Sequence, residues 1–241
     1  MSEFILGKNS IIEALKSGRP INKIFIAKGL HGIEEVVNQV RQKKILYEFL
    51  DRSELDRIAK NAKHQGLIAT VSPAIYVSVE EIMAVAESKK EPLFIILLDG
   101  LEDPHNLGAI LRTADAAGAH GVVIPKRRAA PLTDTVSKSS AGAVEYVPVA
   151  RVSNLNDVIR KLKDSRVWVV GLDEKADKEF TKADFKLPTA LVVGGEGEGL
   201  SRLVKENCDY LVNLPMKGKI SSLNASVSAA VVMYEVVRQR I

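Results

Sequence analysis

The chain has 241 residues, 46% of them hydrophobic and 27% charged, with a net charge of +4. This composition fits a globular protein of one large or two small domains. No run of 18 apolar residues and no signal peptide is present, so a membrane partner is not expected and the cytoplasm is the expected location. The lone cysteine, Cys208, excludes an internal disulfide and a cysteine-based zinc site, and reads as a small core residue at a strand start.

Charge is unevenly placed. Residues 1–75 hold 12 Lys and Arg against 8 Asp and Glu, whereas the rest of the chain holds 22 against 22. The whole excess sits in the first third, which favours nucleic-acid contact there. Asn9 caps an expected helix carrying Ile11, Ile12 and Leu15 and ended by Gly18. Lys23 to Ala27 reads as a strand. Ile33, Val36, Val37 and Val40 have helical spacing. Ile45 to Phe49 is a second strand, Ser53 opens a short helix, and Leu67 to Val71 is a third strand. Lys8, Lys63 and His64 are candidate phosphate contacts, set against the plain reading of solvated surface charge. Ser78 and Glu81 form a capping box before Ile82, Val85 and Ala86. That helix and the charged stretch after it make residues 76–91 the expected join between two domains.

From residue 92 onward, short apolar runs alternate with helical patterns. The strand candidates are Phe94 to Leu98, Gly121 to Pro125, Val144 to Val149, Val167 to Leu172, Ala190 to Val193 and Tyr210 to Leu214. Such alternation predicts a parallel sheet with both faces covered. A helix from Leu107 carries Leu107, Ile110, Leu111, Ala114 and Ala117 on one stripe. Lys126, Arg127 and Arg128 follow the second strand, at the ligand end of the sheet, where a basic triplet is a candidate for RNA backbone contact. The last helix, from Leu223 to about Arg238, is apolar nearly all round and therefore buried on more than one side. A second copy of the chain is the simplest partner for its outer side.

Two loops in this half are rich in Gly, Pro and small polar residues. Gly194 to Gly199 (GGEGEG) and Pro215 to Asn224 each follow an apolar run, and ligands bind beyond the carboxyl ends of parallel strands. The glycine loop does not have the dinucleotide-binding spacing. Glu196 and Glu198 would repel a pyrophosphate, yet suit a neutral adenosine or a cationic sulfonium. Glu196 also reads as a carboxylate at the start of the following helix. Asn106, Ser222 and Asn224 read either as helix caps or as positioning groups. The four histidines show no ligand spacing, so no metal is expected.

LVVGGEGEGLS, LPMKGKISSLNASVSAAVVMYE and, upstream, LDGLEDPHNLGAILRTADAAGA resemble, in order, the second, third and first motifs of the SpoU (TrmH-like) family. These are S-adenosylmethionine-dependent RNA ribose 2′-O-methyltransferases of the knotted SPOUT class. The resemblance is strongest to the members that act on a guanosine of 23S ribosomal RNA. It implies an α/β fold: a small ribosomal-protein-like RNA-binding domain over residues 1–75, then a parallel-sheet domain over residues 92–241 with a deep trefoil knot. It implies S-adenosylmethionine held near Gly194, Gly199, Leu214, Ser222 and Leu223, with Asn106, Arg112, Glu196 and Asn224 as catalytic residues. The all-round apolar surface of residues 223–237 predicts a homodimer through the last helix and the Asn106 helix. Without the resemblance, Arg112 is a surface residue paired with Asp115 at i,i+3. A transfer-RNA methyltransferase and a non-catalytic RNA-binding or ribosome-assembly protein of the same fold remain the alternatives.

Overall fold

The computed structural model describes residues 4–16, 19–60, 62–72, 75–219 and 222–241. They fall into two compact units, Met1–Ile75 with Pro131–Thr135 and Tyr76–Ala130 with Val136–Ile241.

In the first unit, Phe4–Leu6 (β1), Lys8–Lys16 (α1), Ile21–Ala27 (β2), Glu34–Gln42 (α2), Leu46–Leu50 (β3), Arg52–Ile58 (α3) and Leu67–Val71 (β4) form a sheet of order β1-β4-β2-β3 with helices packed on it. β2 runs parallel to β3 and antiparallel to β4. Alternation sorts the core: Leu67, Ala69 and Val71 join Ile11, Leu15, Val36 and Val40 on one face, while Ile68 joins Leu55 and Ala59 on the other. Asn9 does not cap α1. Gly7, in the left-handed region at φ 85°, turns the chain out of β1, and its carbonyl already accepts from Ile11 N at 3.2 Å, so the helix starts at Lys8. Gly18, the expected stop, lies outside the described residues. α3 starts before Ser53, because Asp51 and Glu54 form its capping box. β1 is too short to be read from three residues. It exists through pairing with Ile68 to Thr70.

The second unit continues with Val79–Lys89 (α4), Phe94–Asp99 (β5), Pro104–Ala116 (α5), Gly121–Pro125 (β6), Asp134–Ser139 (α6), Val149–Val152 (β7), Leu155–Asp164 (α7), Trp168–Leu172 (β8), Thr189–Gly194 (β9), Arg202–Asn207 (α8), Tyr210–Val212 (β10) and Ala225–Arg240 (α9). The sheet has order β10-β8-β9-β5-β6-β7 and every pairing in it is parallel. Ile95 and Leu97 share a core with Ile82 of α4, Ile159 of α7 and Val204 of α8. Phe94, Ile96 and Leu98 are buried on the opposite side of the pleat. There, α5 and α9 pack against each other.

Three expectations change here. α4 is not a free join: Val79, Ile82 and Ala86 are part of the core of the second unit. The strand expected over Val144 to Val149 begins only at Val149. Gly142 (φ 88°) starts a turn through Ala143–Glu145, and Pro148 has no N–H to offer a ladder. The last helix is buried along Ala229, Val232, Met233 and Val236, whereas Val227, Val231 and Tyr234 are exposed. Among the described residues no helix is long and apolar enough to cross a membrane.

Candidate functional site

β5 and β9 lie side by side, but the chain leaves them in opposite directions. From β5 it passes through α5 to β6 on one flank; from β9 it passes through α8 to β10, beyond β8 on the other. That divergence is a topological switch point, the usual place for a ligand on an open parallel sheet. β9 and β10 are not neighbours, since β8 separates them, yet the loops that follow them meet.

The glycine loop closes by packing backbone on backbone. Gly195 N donates to Asp99 O at 2.8 Å, and Gly199 N donates to Gly195 O at 3.1 Å. A Cβ on Gly194 would lie 2.2 Å from the Gly199 carbonyl carbon, and one on Gly195 would lie 2.0 Å from Gly100 O. Asp99, at the end of β5, also accepts from Ser201 N at 2.7 Å and so fixes the exit of the loop.

Glu196 is held from two helices. Its Oε1 accepts from Asn106 Nδ2 at 2.7 Å and from Asn224 Nδ2 at 2.8 Å. Asn224 Nδ2 also donates to Asn106 Oδ1 at 3.0 Å. The amide orientations follow from the network. Asn224 Oδ1 accepts from Ser226 N at 2.9 Å and Val227 N at 3.3 Å, and a backbone N–H can only donate, so its Nδ2 is the end turned to Glu196. Asn224 is thus both the N-cap of α9 and a member of this network. Asn106 is no cap, for Asp103 caps α5 through His105 N at 2.9 Å and leaves Asn106 buried one turn in. One residue from each of the three sequence motifs meets here.

Two cavities flank the network. The first, of about 440 Å³, lies among the loops after β8, β9 and β10 and the start of α9. Gly194, Gly199, Leu214, Ser222, Leu223 and Asn224 all line it. The second, of about 360 Å³, is lined by Gly100 to Asp103, Asn106, Arg128 and the same glycine loop. Asp173, Glu174 and Lys175 also line the first cavity, and Asp173 pairs with Lys205. Burial works against ionisation of Asp173, but that pairing and the Lys175 N–H, donating at 2.9 Å, bring its carboxyl below the ordinary range. Sequence reasoning missed these three residues, although they follow a parallel strand at its carboxyl end, the same signal that picked out the other loops.

Arg112 lines neither cavity. Six residues beyond Asn106 it is displaced about 9 Å along the helix and turned well round it. It is exposed, and the expected pair with Asp115 is not formed. Arg127 is exposed, Lys126 N donates to Val152 O, and Arg128 Nη2 donates to Glu198 Oε2 at 2.6 Å. In the first unit, Lys8 Nζ donates to Gly32 O at 2.5 Å and Lys63 is exposed. His64 is only 4% exposed. Its Nε2 meets Asp56 Oδ1 at 2.8 Å, and its Nδ1 accepts from Gly66 N at 3.1 Å. Both ring nitrogens are engaged in shaping the turn into β4, so His64 is withdrawn as a phosphate contact. Cys208 is partly buried, and burial pushes its thiol up to about 12, out of the reactive range. Among the described residues, no three His, Cys, Asp or Glu are grouped to hold a metal ion.

Comparison with known proteins places the chain in a family. Residues 93–234 match the model of the SpoU rRNA Methylase family, and residues 4–77 match that for RNA 2'-O ribose methyltransferase substrate binding. The chain is 48% identical over 240 residues to the "Putative TrmH family tRNA/rRNA methyltransferase YacO" of Bacillus subtilis (strain 168), covering 99% of this chain and 96% of that one. Among solved structures it is similar to the SpoU methyltransferase AviRb from Streptomyces viridochromogenes in complex with the cofactor AdoMet, with a TM-score of 0.64 and 28% identity over 98% of this chain and 90% of that one. An AdoMet-bound rRNA methyltransferase from Sinorhizobium meliloti gives a TM-score of 0.63 and 25% identity, over 99% and 87% of the two chains. With the three motifs joined at one carboxylate and both units matched, the chain belongs to the SpoU rRNA methylase family and is an RNA methyltransferase of the SpoU/TrmH type.

Proposed function

We propose that the protein methylates a ribose 2′-hydroxyl in RNA, on a guanosine of 23S ribosomal RNA, with S-adenosylmethionine as donor. The observation that carries this reading is the Glu196 carboxylate, held by Asn106 and Asn224 between two cavities. One cavity suits a donor and the other an acceptor. The first has the volume of a small-molecule site. Its carboxylates, Asp173, Glu174, Glu196 and Glu198, outnumber its lysines, Lys175 and Lys205. That balance favours a cationic sulfonium over a phosphate. Gly194, Gly199, Leu214, Ser222 and Leu223 would hold the adenosine side, largely through backbone groups.

S-adenosylmethionine, when bound, supplies an electrophilic methyl group whose bonding pair stays on sulfur as the ribose oxygen takes the carbon. The residues of the chain supply position and charge. Asn106 and Asn224 fix Glu196 at the boundary of the cavities, and Glu196 tolerates positive charge beside it. Arg112, outside both cavities, clamps a phosphate of the bound strand next to the reacting ribose; a guanidinium holds its proton too tightly to act as the base, so the hydroxyl proton passes to water. The first unit supplies RNA affinity, with Lys8 and Lys63 as contacts. Lys126, Arg127 and Arg128 contribute from the loop after β6. The protein works in the cytoplasm as a homodimer joined through α9 and α5, with the segment from β10 onward threaded as a trefoil knot.

Transfer RNA is the second reading, favoured by the paired tRNA/rRNA description of the relatives. A non-catalytic role is disfavoured by the intact, mutually bonded Asn106, Glu196 and Asn224. Radiolabelled methyl transfer to ribosomal and transfer RNA from a strain lacking the gene, followed by mapping of the 2′-O-methyl position, tests the reading. Label in 23S RNA at a guanosine supports it. Label confined to transfer RNA moves the substrate, and no transfer to either RNA refutes it.

A further inference from the structure

Gly195, Glu196, Glu198 and Gly199 line both cavities, so the glycine loop is the wall between them. Among the described residues, Arg128 is the one Lys or Arg lining the second cavity, against the carboxylates of Glu102, Asp103, Glu196 and Glu198. A cavity of that balance admits a neutral nucleoside and rejects a phosphate everywhere except at Arg128. There, the guanidinium is occupied by Glu198, with Nη2 to Oε2 at 2.6 Å.

Three features make this pair an unusual surface contact. Arg128 has a left-handed backbone, φ 55°, uncommon for a residue with a side chain and shared among the described residues by six other non-glycine positions. The same Nη2 lies over the loop after β5, 3.9 Å from where a Cβ on Gly100 would be. Glu198 stands between Gly197 at φ 85° and Gly199 at φ 64°, on a loop whose conformation only glycine adopts without strain. Both partners are well exposed, at 65% and 80%, so the pair is weak and a bidentate phosphate competes well against it.

We propose that Glu198 stands in, in the free protein, for a backbone phosphate of the acceptor strand. When the strand enters, Arg128 passes from the carboxylate to the phosphate, and Glu198, which lines the donor cavity as well, is left unpaired beside the donor. This rests on the RNA methyltransferase reading above. It adds a reciprocal coupling between RNA and donor, since whichever binds first changes the affinity for the other by the same factor.

The test is a double-mutant cycle on binding of in vitro transcribed 23S ribosomal RNA. Arg128→Ala is expected to weaken binding several-fold and to lower the salt slope by about 0.7–0.9, the share of one phosphate. Glu198→Gln is expected to tighten binding about threefold or more, and Arg128→Ala/Glu198→Gln to bind no better than Arg128→Ala. Both side chains are on the surface, and Glu198→Gln keeps the shape of the residue, so the variants are expected to fold. S-adenosylhomocysteine titrated by calorimetry should bind wild type with a different affinity when the RNA is present, and Glu198→Gln with a smaller difference. Unchanged or weaker RNA binding by Glu198→Gln overturns the proposal. So does a gain that persists without Arg128, which would be a general charge effect. Failure of wild type to methylate any RNA strikes the functional reading instead, whereas normal methylation with no Arg128–Glu198 coupling removes only this inference.

Discussion

Asn224 separates two roles that one residue usually confounds. Its Oδ1 caps α9 and its Nδ2 holds Glu196. Aspartate caps a helix as well as asparagine does. Asn224→Asp therefore keeps the cap and sets a second carboxylate against Glu196, where the donor was 2.8 Å away. The expected outcome is a melting temperature close to wild type with S-adenosylhomocysteine affinity lowered on the order of tenfold, or about 1.4 kcal/mol. Calorimetry and thermal melting together check it, and a parallel loss of both would reduce Asn224 to a cap. Arg112 makes the opposite case, a residue proposed as catalytic that lines neither cavity. Its planar fork is what a phosphate clamp uses, so Arg112→Lys should fail nearly as badly as Arg112→Ala, by about a hundredfold or more in turnover. Donor binding should be untouched, because Arg112 lines neither cavity. Single-turnover methylation of the two variants with near-normal rates would return Arg112 to the helix surface.

At the scale of elements, α9 is held at both ends by side chains that periodicity does not reveal. Its start is tied to the glycine loop by Asn224, and its end by Arg240. Arg240 Nε donates to Phe185 O at 2.8 Å, Nη1 to Pro92 O at 2.7 Å, and Nη2 to Leu187 O at 2.8 Å and Leu93 O at 3.2 Å. These carbonyls lie just before or near the beginnings of β5 and β9, so one guanidinium joins the last turn of the chain to the entry of the central strands. Burial pulls its pKa below the ordinary arginine range. Glu235 and Gln239 add to the lock: Gln239 donates to Glu235 Oε1 at 2.7 Å and accepts from Phe185 N at 2.9 Å. Arg240→Ala takes their donor from the carbonyls of Phe185 and Pro92, while Thr189 still serves those of Leu93 and Leu187; of the two bonds lost outright only that to Phe185 is part-buried, so the expected cost is about 1–3 kcal/mol, that of one buried group left unmet. Denaturant unfolding measures it, and a loss below about 0.5 kcal/mol would mean that water replaces the guanidinium.

At the scale of the molecule, the proposed homodimer rests on the exposed stripe of α9. Val227, Val231 and Tyr234 recur at helical spacing and are exposed, while Val232 and Val236 are buried within the chain. A charge at Val232 or Val236 would therefore damage the fold and say nothing of a dimer. Val231→Glu or Tyr234→Glu is the informative change. Sedimentation should show wild type as a dimer at micromolar concentration and these variants shifted toward monomer with the fold intact. A monomeric wild type would end the dimer proposal. The first unit allows an equally direct test, since it has its own sheet and core. Deleting residues 1–75 should leave S-adenosylhomocysteine binding in place and lower RNA affinity, with the salt slope falling by about 0.7–0.9 for each phosphate contact removed. Unchanged RNA binding would mean that the second unit carries the affinity.

What the sequence determined by itself is what local physics encodes. The capping box at Ser78 and Glu81, the strands at Gly121–Pro125 and Leu67–Val71, and the alternation of buried strands with helices were all legible, because periodicity and caps act over a few residues. The order of three motifs carried the family. Tertiary structure alone decided which strands adjoin, with β8 between β9 and β10 and β5 beside β9, because pairing depends on crossovers that no local pattern records. It decided that Asn106 is not a cap and that Asn224 is, since Asn106 lies three positions beyond the cap of its helix and Asn224 at the cap of its own. It buried His64, exposed Arg112, and brought Arg128 onto Glu198 across 70 residues of sequence. Such contacts depend on where whole strands and helices come to lie, and so they appear only when the chain is folded.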